Sequence, residues 1–143
     1  MAEIEKSGTP SISNQTPPQA SQIGAGLIAG EDIEAGDACY ITSDGTVKRS
    51  DGSAADEAAE VRGFAAMEAT EGEAVTLFRN VTFRYGSGLT PGINVYLSET
   101  TPGGLDDAPI TGGVGPIGFV VDDTRIYLHG SLYQPAAEEE PQQ

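Results

Sequence analysis

The chain has no tryptophan, one cysteine, one histidine, and seven lysines and arginines against 22 aspartates and glutamates. Each shortage closes a route. A single thiol, Cys39, can form no intrachain disulfide and support no multi-cysteine metal centre. Set between Ala38 and Tyr40 in an expected strand, it reads as a small buried apolar residue. As a nucleophile it would need a base, and the only histidine, His129, lies far away in sequence. The net charge of −15 opposes binding to DNA or RNA, where affinity comes from Lys and Arg displacing counterions. It equally opposes anionic membrane surfaces. No apolar run approaches a membrane span, and Met1-Ala2-Glu3-Ile4-Glu5-Lys6 lacks the blocks of a secretory signal, so a cytoplasmic origin is expected. The acidity itself favours solubility, repulsion between free copies and attraction to a basic partner surface.

What the sequence does have is glycine, 19 residues of it, and a middle that reads as written twice. One copy runs Ile33-Glu34-Ala35-Gly36-Asp37-Ala38-Cys39-Tyr40-Ile41, then Asp44-Gly45, Val61-Arg62-Gly63-Phe64 and Val75-Thr76-Leu77-Phe78. The other runs Leu89-Thr90-Pro91-Gly92-Ile93-Asn94-Val95-Tyr96-Leu97, then Gly103-Gly104, Pro116-Ile117-Gly118-Phe119 and Ile126-Tyr127-Leu128-His129. Recurrence in the same order and at nearly the same spacing predicts one supersecondary unit used twice, each copy covering the other.

Around this lie two polar ends. Residues 1–22 are expected to form an extended, flexible arm, because Ser7 to Gln22 holds only Ile12 as a large apolar residue. Pro17-Pro18 favours local extended structure there. Residues 134–143, with Glu138-Glu139-Glu140, read as a disordered acidic tail, leaving 23–133 as one β domain. Within it, short strands separated by turns about every ten residues predict an all-β fold, a small barrel or sandwich. Gly52 to Glu60 is the one candidate helix. Ala74 to Tyr85 is the longest strand signal, with Val75, Leu77, Arg79, Val81, Phe83 and Tyr85 on one face. Arg79 interrupts that face. Either the strand bends at Arg79-Asn80 and its faces exchange, the preferred reading, or Arg79 reaches a carboxylate or a partner.

Several motifs invite chemistry and are better read plainly. Gly113-Val114-Gly115-Pro116-Ile117-Gly118 matches a dinucleotide-binding pattern, but Pro116 and a β-type run follow where that motif needs a helix. Asn80-Val81-Thr82 is a glycosylation sequon better read as strand. Asp106-Asp107 and Asp122-Asp123 lack the spacing of a calcium loop and read as solvated turns. No catalytic residues, metal ligands or cofactor sites are assigned, and the chain is expected not to be an enzyme. A small hydrolase would need His129 or the acidic pairs to converge in a cleft.

Taken together, the duplicated strand unit, the acidic surface and the polar leader resemble the small decoration, or cement, proteins of tailed-phage heads. The phrases carrying the resemblance are Ile28 to Tyr40, Asp44-Gly45-Thr46-Val47, Val61-Arg62-Gly63-Phe64, Gly72 to Leu77, Leu89-Thr90-Pro91-Gly92, Ile117 to Val121 and Ile126-Tyr127-Leu128. The resemblance implies a structural virion protein on the outer capsid surface, made in the host cytoplasm. Its partner would be the major capsid protein, and it would be a homo-oligomer with a trimer favoured, without nucleic acid, membrane or cofactor. Ile12, Pro17 and Pro18 of the arm, with Arg79 and Arg84, are the candidate interface residues. The competing class is a β-structured module of a tail fibre or baseplate that recognises a host-surface glycan, for which Tyr and Phe must supply the aromatic faces.

Overall fold

A computed structural model describes residues 3–12, 21–23, 26–54, 57–108 and 115–130. The fold is all-β, two curled half-barrel sheets, with a single 3-10 turn among the described residues, at Glu57–Ala59 within the stretch that the sequence offers as a helix. The strands are β1 (Glu3–Ile4), β2 (Ser11–Ile12), β3 (Ser21–Ile23), β4 (Ile28–Ala29), β5 (Ala38–Ile41), β6 (Thr46–Arg49) and β7 (Gly63–Ala65). They continue with β8 (Leu77–Arg79), β9 (Val81–Arg84), β10 (Asn94–Leu97), β11 (Leu105–Asp106), β12 (Gly118–Val120) and β13 (Arg125–Leu128).

The sheets show the duplication directly. One has the order β3-β8-β7-β5-β6-β4 and the other, read from its far edge, β2-β9-β13-β12-β10-β11-β1. Replacing β3, β8, β7, β5 and β6 by β9, β13, β12, β10 and β11 reproduces the five-strand run shared by both sheets; the edges differ, since β4 runs parallel to β6, β1 antiparallel to β11, and β2 is added beyond β9. Register agrees residue by residue. Ala38 faces Phe64 and Cys39 faces Gly63; in the second copy Asn94 faces Phe119 and Val95 faces Gly118. The two entry turns agree as well, with Gly36 at φ 84° and Gly92 at φ 90°, a backbone conformation that side chains resist. One detail differs from the sequence pairing. Phe64 faces Phe78 while Phe119 faces Tyr127, so Leu77-Phe78 corresponds to Ile126-Tyr127, two residues out of step with the written alignment. A slip of two preserves which side chains face inward, and the hydrophobic pattern tolerates it where a slip of one would not.

The copies meet at Asn80, a non-glycine residue at φ 53° between β8 and β9. Here the long strand bends and its faces exchange. Before the bend Leu77 lies in the smaller apolar cluster, with Cys39, Val47 and Ala65, while Phe78 packs on the larger one. After it the odd residues Val81, Phe83 and Tyr85 enter the larger cluster, with Val95, Leu97, Leu105, Ile126 and Leu128. The first unit therefore packs by its Ala38–Phe64–Phe78 face over the inner face of the second.

The arm is integral over its described part. β1 pairs with β11 and β2 with β9, so residues 3–12 occupy both edges of the second sheet. Seven residue steps from Ile4 to Ser11 span at most roughly 25 Å. A flat sheet of seven strands would set its outer strands roughly 29 Å apart, so the sheet must curl for one arm to hold both edges. Composition predicted mobility because it weighs side chains alone. Here unpaired main chain on β9 and β11 supplies the partners, and Ile4 is buried in the core. Residues 13–20, including Pro17 and Pro18, and the acidic tail 134–143 lie outside the described residues.

Candidate docking face

The outward face of the second sheet is built by register. Asn94, Phe119, Tyr127 and Thr82 stand side by side on β10, β12, β13 and β9. Phe119 is 42% exposed, and its ring lies 5.2 Å from that of Tyr127. His129 follows at 6.4 Å from Tyr127, and the Tyr127 hydroxyl donates to Asn80 Oδ1 at 3.3 Å. Val121 extends the apolar surface beyond β12. An aromatic pair held on two strands is rigid, because the sheet fixes both backbones.

The charged rim has its own logic. Arg125 stands directly across from exposed Arg84, a juxtaposition of like charges. Asp122 answers it: Oδ2 accepts from Arg125 Nη2 at 2.7 Å and from Nε at 2.8 Å, while Oδ1 accepts from the Thr124 and Arg125 amides. The Arg125 hydrogen bond, followed by the turn amides, draws the Asp122 carboxyl down to about 2. Residues 81–128 contain only Glu99, Asp106, Asp107, Asp122 and Asp123 as acids, whereas residues 21–79 hold most of the chain's carboxylates. The outward face of β9, β12 and β13 is thus an apolar, arginine-bearing surface on an acidic protein.

Its counterpart in the first unit has the opposite fate. Phe119 and Tyr127 correspond to Phe64 and Phe78, and Asn94 to Ala38. Phe64 and Ala38 are fully buried against the second unit. Where the first copy has buried Ala38 and exposed Thr76, the second has exposed Asn94 and half-buried Arg125, so the open ridge has the more polar border.

A second cluster joins the arm to both units. Lys6 Nζ donates to Asp37 Oδ1 at 2.7 Å and to Glu34 Oε1 at 3.1 Å, and Asp37 Oδ2 accepts from the Glu34 amide at 2.8 Å. Asp37 is buried beneath Lys6, and burial outweighs that partner, so its carboxyl sits above the usual range. Tyr85 and the Thr101-Pro102 turn line the same cleft of about 260 Å³. Burial likewise raises the Tyr85 hydroxyl. This is a structural clasp, with two carboxylates locked to a lysine beside a buried phenol.

Of the residues named from sequence, Arg84 lies on the exposed face. Arg79 at the bend donates from Nε and Nη2 to the His129 carbonyl at 3.2 and 3.1 Å, tying the first unit to the end of β13. Ile12 takes part through its backbone, opposite Phe83. Cys39 is buried with its thiol pushed well up by desolvation, as befits an apolar role. Gly118 of the GxGxxG match begins β12, where a Cβ would stand 2.2 Å from the Tyr127 carbonyl oxygen; close strand packing requires the glycine. Asp122-Asp123 lies in a turn as expected, with Asp122 accepting from its amides, but Asp106 is buried rather than solvated and accepts from the Ala108 amide. Among the described residues no three His, Cys, Asp or Glu side chains form a group suited to a metal. From sequence, Tyr127 and the Phe residues stood only among the aromatic faces a glycan site would need, and Phe119 with Tyr127 was not singled out as a pair; the repeat carries that signal once Phe64 of the first copy is known to be buried. Comparison with protein-family profiles, curated proteins and solved structures finds no match in any of the three.

Proposed function

We propose that this chain is a structural virion protein that binds the outer surface of a phage capsid shell and stabilises it. The observation carrying this reading is the apolar ridge of Phe119 and Tyr127, whose centre Phe119 is left open while the equivalent Phe64 of the other unit is fully buried. A body whose duplicated fold is spent on packing, with Lys6, Glu34 and Asp37 engaged in a clasp and Asp122 in a turn cap, is suited to adhesion. Binding only the assembled shell stabilises that form by mass action, and repetition on a lattice makes weak contacts effective. Copies on the shell would associate, with a trimer favoured.

The test is co-sedimentation of purified protein with empty shells of the phage that encodes it, followed by the temperature at which the shells come apart. Saturable binding with a raised disruption temperature is expected. Unbound protein and unchanged heat resistance would refute the reading. The aromatic pair beside Asn80 and Asn94 also fits a glycan-binding module of a tail fibre or baseplate. Its placement on the convex side of a curled sheet disfavours that, since carbohydrate sites are concave.

A further inference from the structure

The internal repeat says what kind of surface receives the open ridge. We infer that Phe119 and Tyr127 seat in an apolar hollow of the shell protein whose rim carries carboxylates, in the way that Phe64 and Phe78 seat on the second unit. The inference rests on the shell-binding reading and deepens it by naming the docking face and its partner's chemistry.

Three observations converge. The first is equivalence: Phe64 and Phe78 occupy the same register positions as Phe119 and Tyr127 and pack on an apolar cluster built by the inner face of a curled sheet. The chain thus contains a working example of the complementary surface. The second is the border. Asn94 and Arg125 replace Ala38 and Thr76, which gives the second ridge the apolar centre and polar rim of an interface that must also survive in water. The third is charge. Arg84 and Arg125 flank the ridge on a chain of net charge −15, and carboxylates opposite them supply the complementary sign. Asp122 already holds Arg125 in place, so the guanidinium is oriented before the partner arrives.

The smaller apolar cluster of a second copy is a poor alternative occupant. It is closed over by Ala29, Ile33, Ala69 and Val75 of its own unit, so head-to-tail stacking stops after two units. The exposed ridge is also small. Phe119 and Val121 are its only large apolar side chains with more than a third of their surface open, so a single contact is weak and gains strength from repetition on the shell.

The experiment measures binding of the full chain to empty shells for wild type, Phe119→Ala, Tyr127→Ala, Arg84→Glu and Met67→Ala, the last an exposed residue of the first unit. Circular dichroism and melting temperature verify folding; Phe119→Leu, which retains apolar bulk, provides a milder variant. Phe119→Ala and Arg84→Glu are each expected to weaken binding about ten-fold or more, Phe119→Leu less, and Met67→Ala not at all. Wild-type affinity in both Phe119→Ala and Arg84→Glu would overturn the docking face while leaving the shell-binding function intact. A wild type that ignores shells would overturn the function. Loss of carbohydrate binding on a glycan array, or a change of oligomeric state in Phe119→Ala with shell binding unaltered, would assign the ridge to another occupant and overturn the inference.

Discussion

Phe64 and Phe119 occupy the same place in two copies of one strand unit, and replacing each by alanine should give opposite outcomes. Phe64 is fully buried between the units, beside Ala38 and opposite Phe78. Removing a ring from such a site costs the lost transfer free energy plus an unfilled cavity, about 3–5 kcal/mol. Phe119 is 42% exposed and loses chiefly its pairing with Tyr127, so about 1 kcal/mol is expected. For a domain of this size each kcal/mol moves Tm by about 4 °C. Phe64→Ala should therefore melt roughly 12–20 °C lower and Phe119→Ala roughly 4 °C lower. Differential scanning calorimetry gives the shifts, and urea titration with an unchanged m value verifies that native stability changed rather than the unfolded state. Equal shifts, or a larger one for Phe119→Ala, would show that the two faces are not partitioned between core and surface as described.

Other expectations follow from particular contacts. Gly118→Ala should cost roughly 3 kcal/mol, since the new methyl meets the Tyr127 carbonyl, whereas Gly115→Ala, with open space around it, should be neutral; urea denaturation compares them. Deleting residues 1–12 should lower Tm and promote aggregation seen by light scattering, because β9 and β11 become open edges and Ile4 leaves the core. An unchanged Tm would contradict the integral arm. Because burial raises the Asp37 carboxyl above 3.8, the native state holds that proton more tightly than the unfolded chain does. Its stabilising contribution is thus present at acid pH and lost as pH rises from about 3.8 through the raised value. Wild type should lose stability relative to Asp37→Asn over that window, and Lys6→Met should widen it by removing the partner that lowers the carboxyl. Parallel pH profiles would rule this out.

The fold was legible where side-chain pattern and backbone agree. Gly36, Tyr40, Gly63 and Phe64 recur as Gly92, Tyr96, Gly118 and Phe119, and register pairs them as the spacing predicted. Arg79 marked the bend, because an arginine on an apolar face needs the chain to turn. Three features were illegible. The arm at Glu3–Ile4 and Ser11–Ile12 pairs through main chain, which carries no sequence signal. The two-residue offset of β13 leaves the hydrophobic alternation unchanged, so pattern alone is blind to it. Finally, Phe64 and Phe119 are the same residue in the same local phrase, and only the packing of one unit over the other makes one core and one surface. Arg84 was singled out from sequence and lies on that surface; the aromatic centre beside it required the structure.

The most direct measurement is an electron cryo-microscopy reconstruction of empty shells mixed with the protein. Two stacked β units are expected at repeated positions on the outer surface, with β12 and β13 turned toward the capsid subunit and Phe119 at the contact. Bare shells, or density contacting the shell through the first unit while β12 and β13 face solvent, would contradict this arrangement.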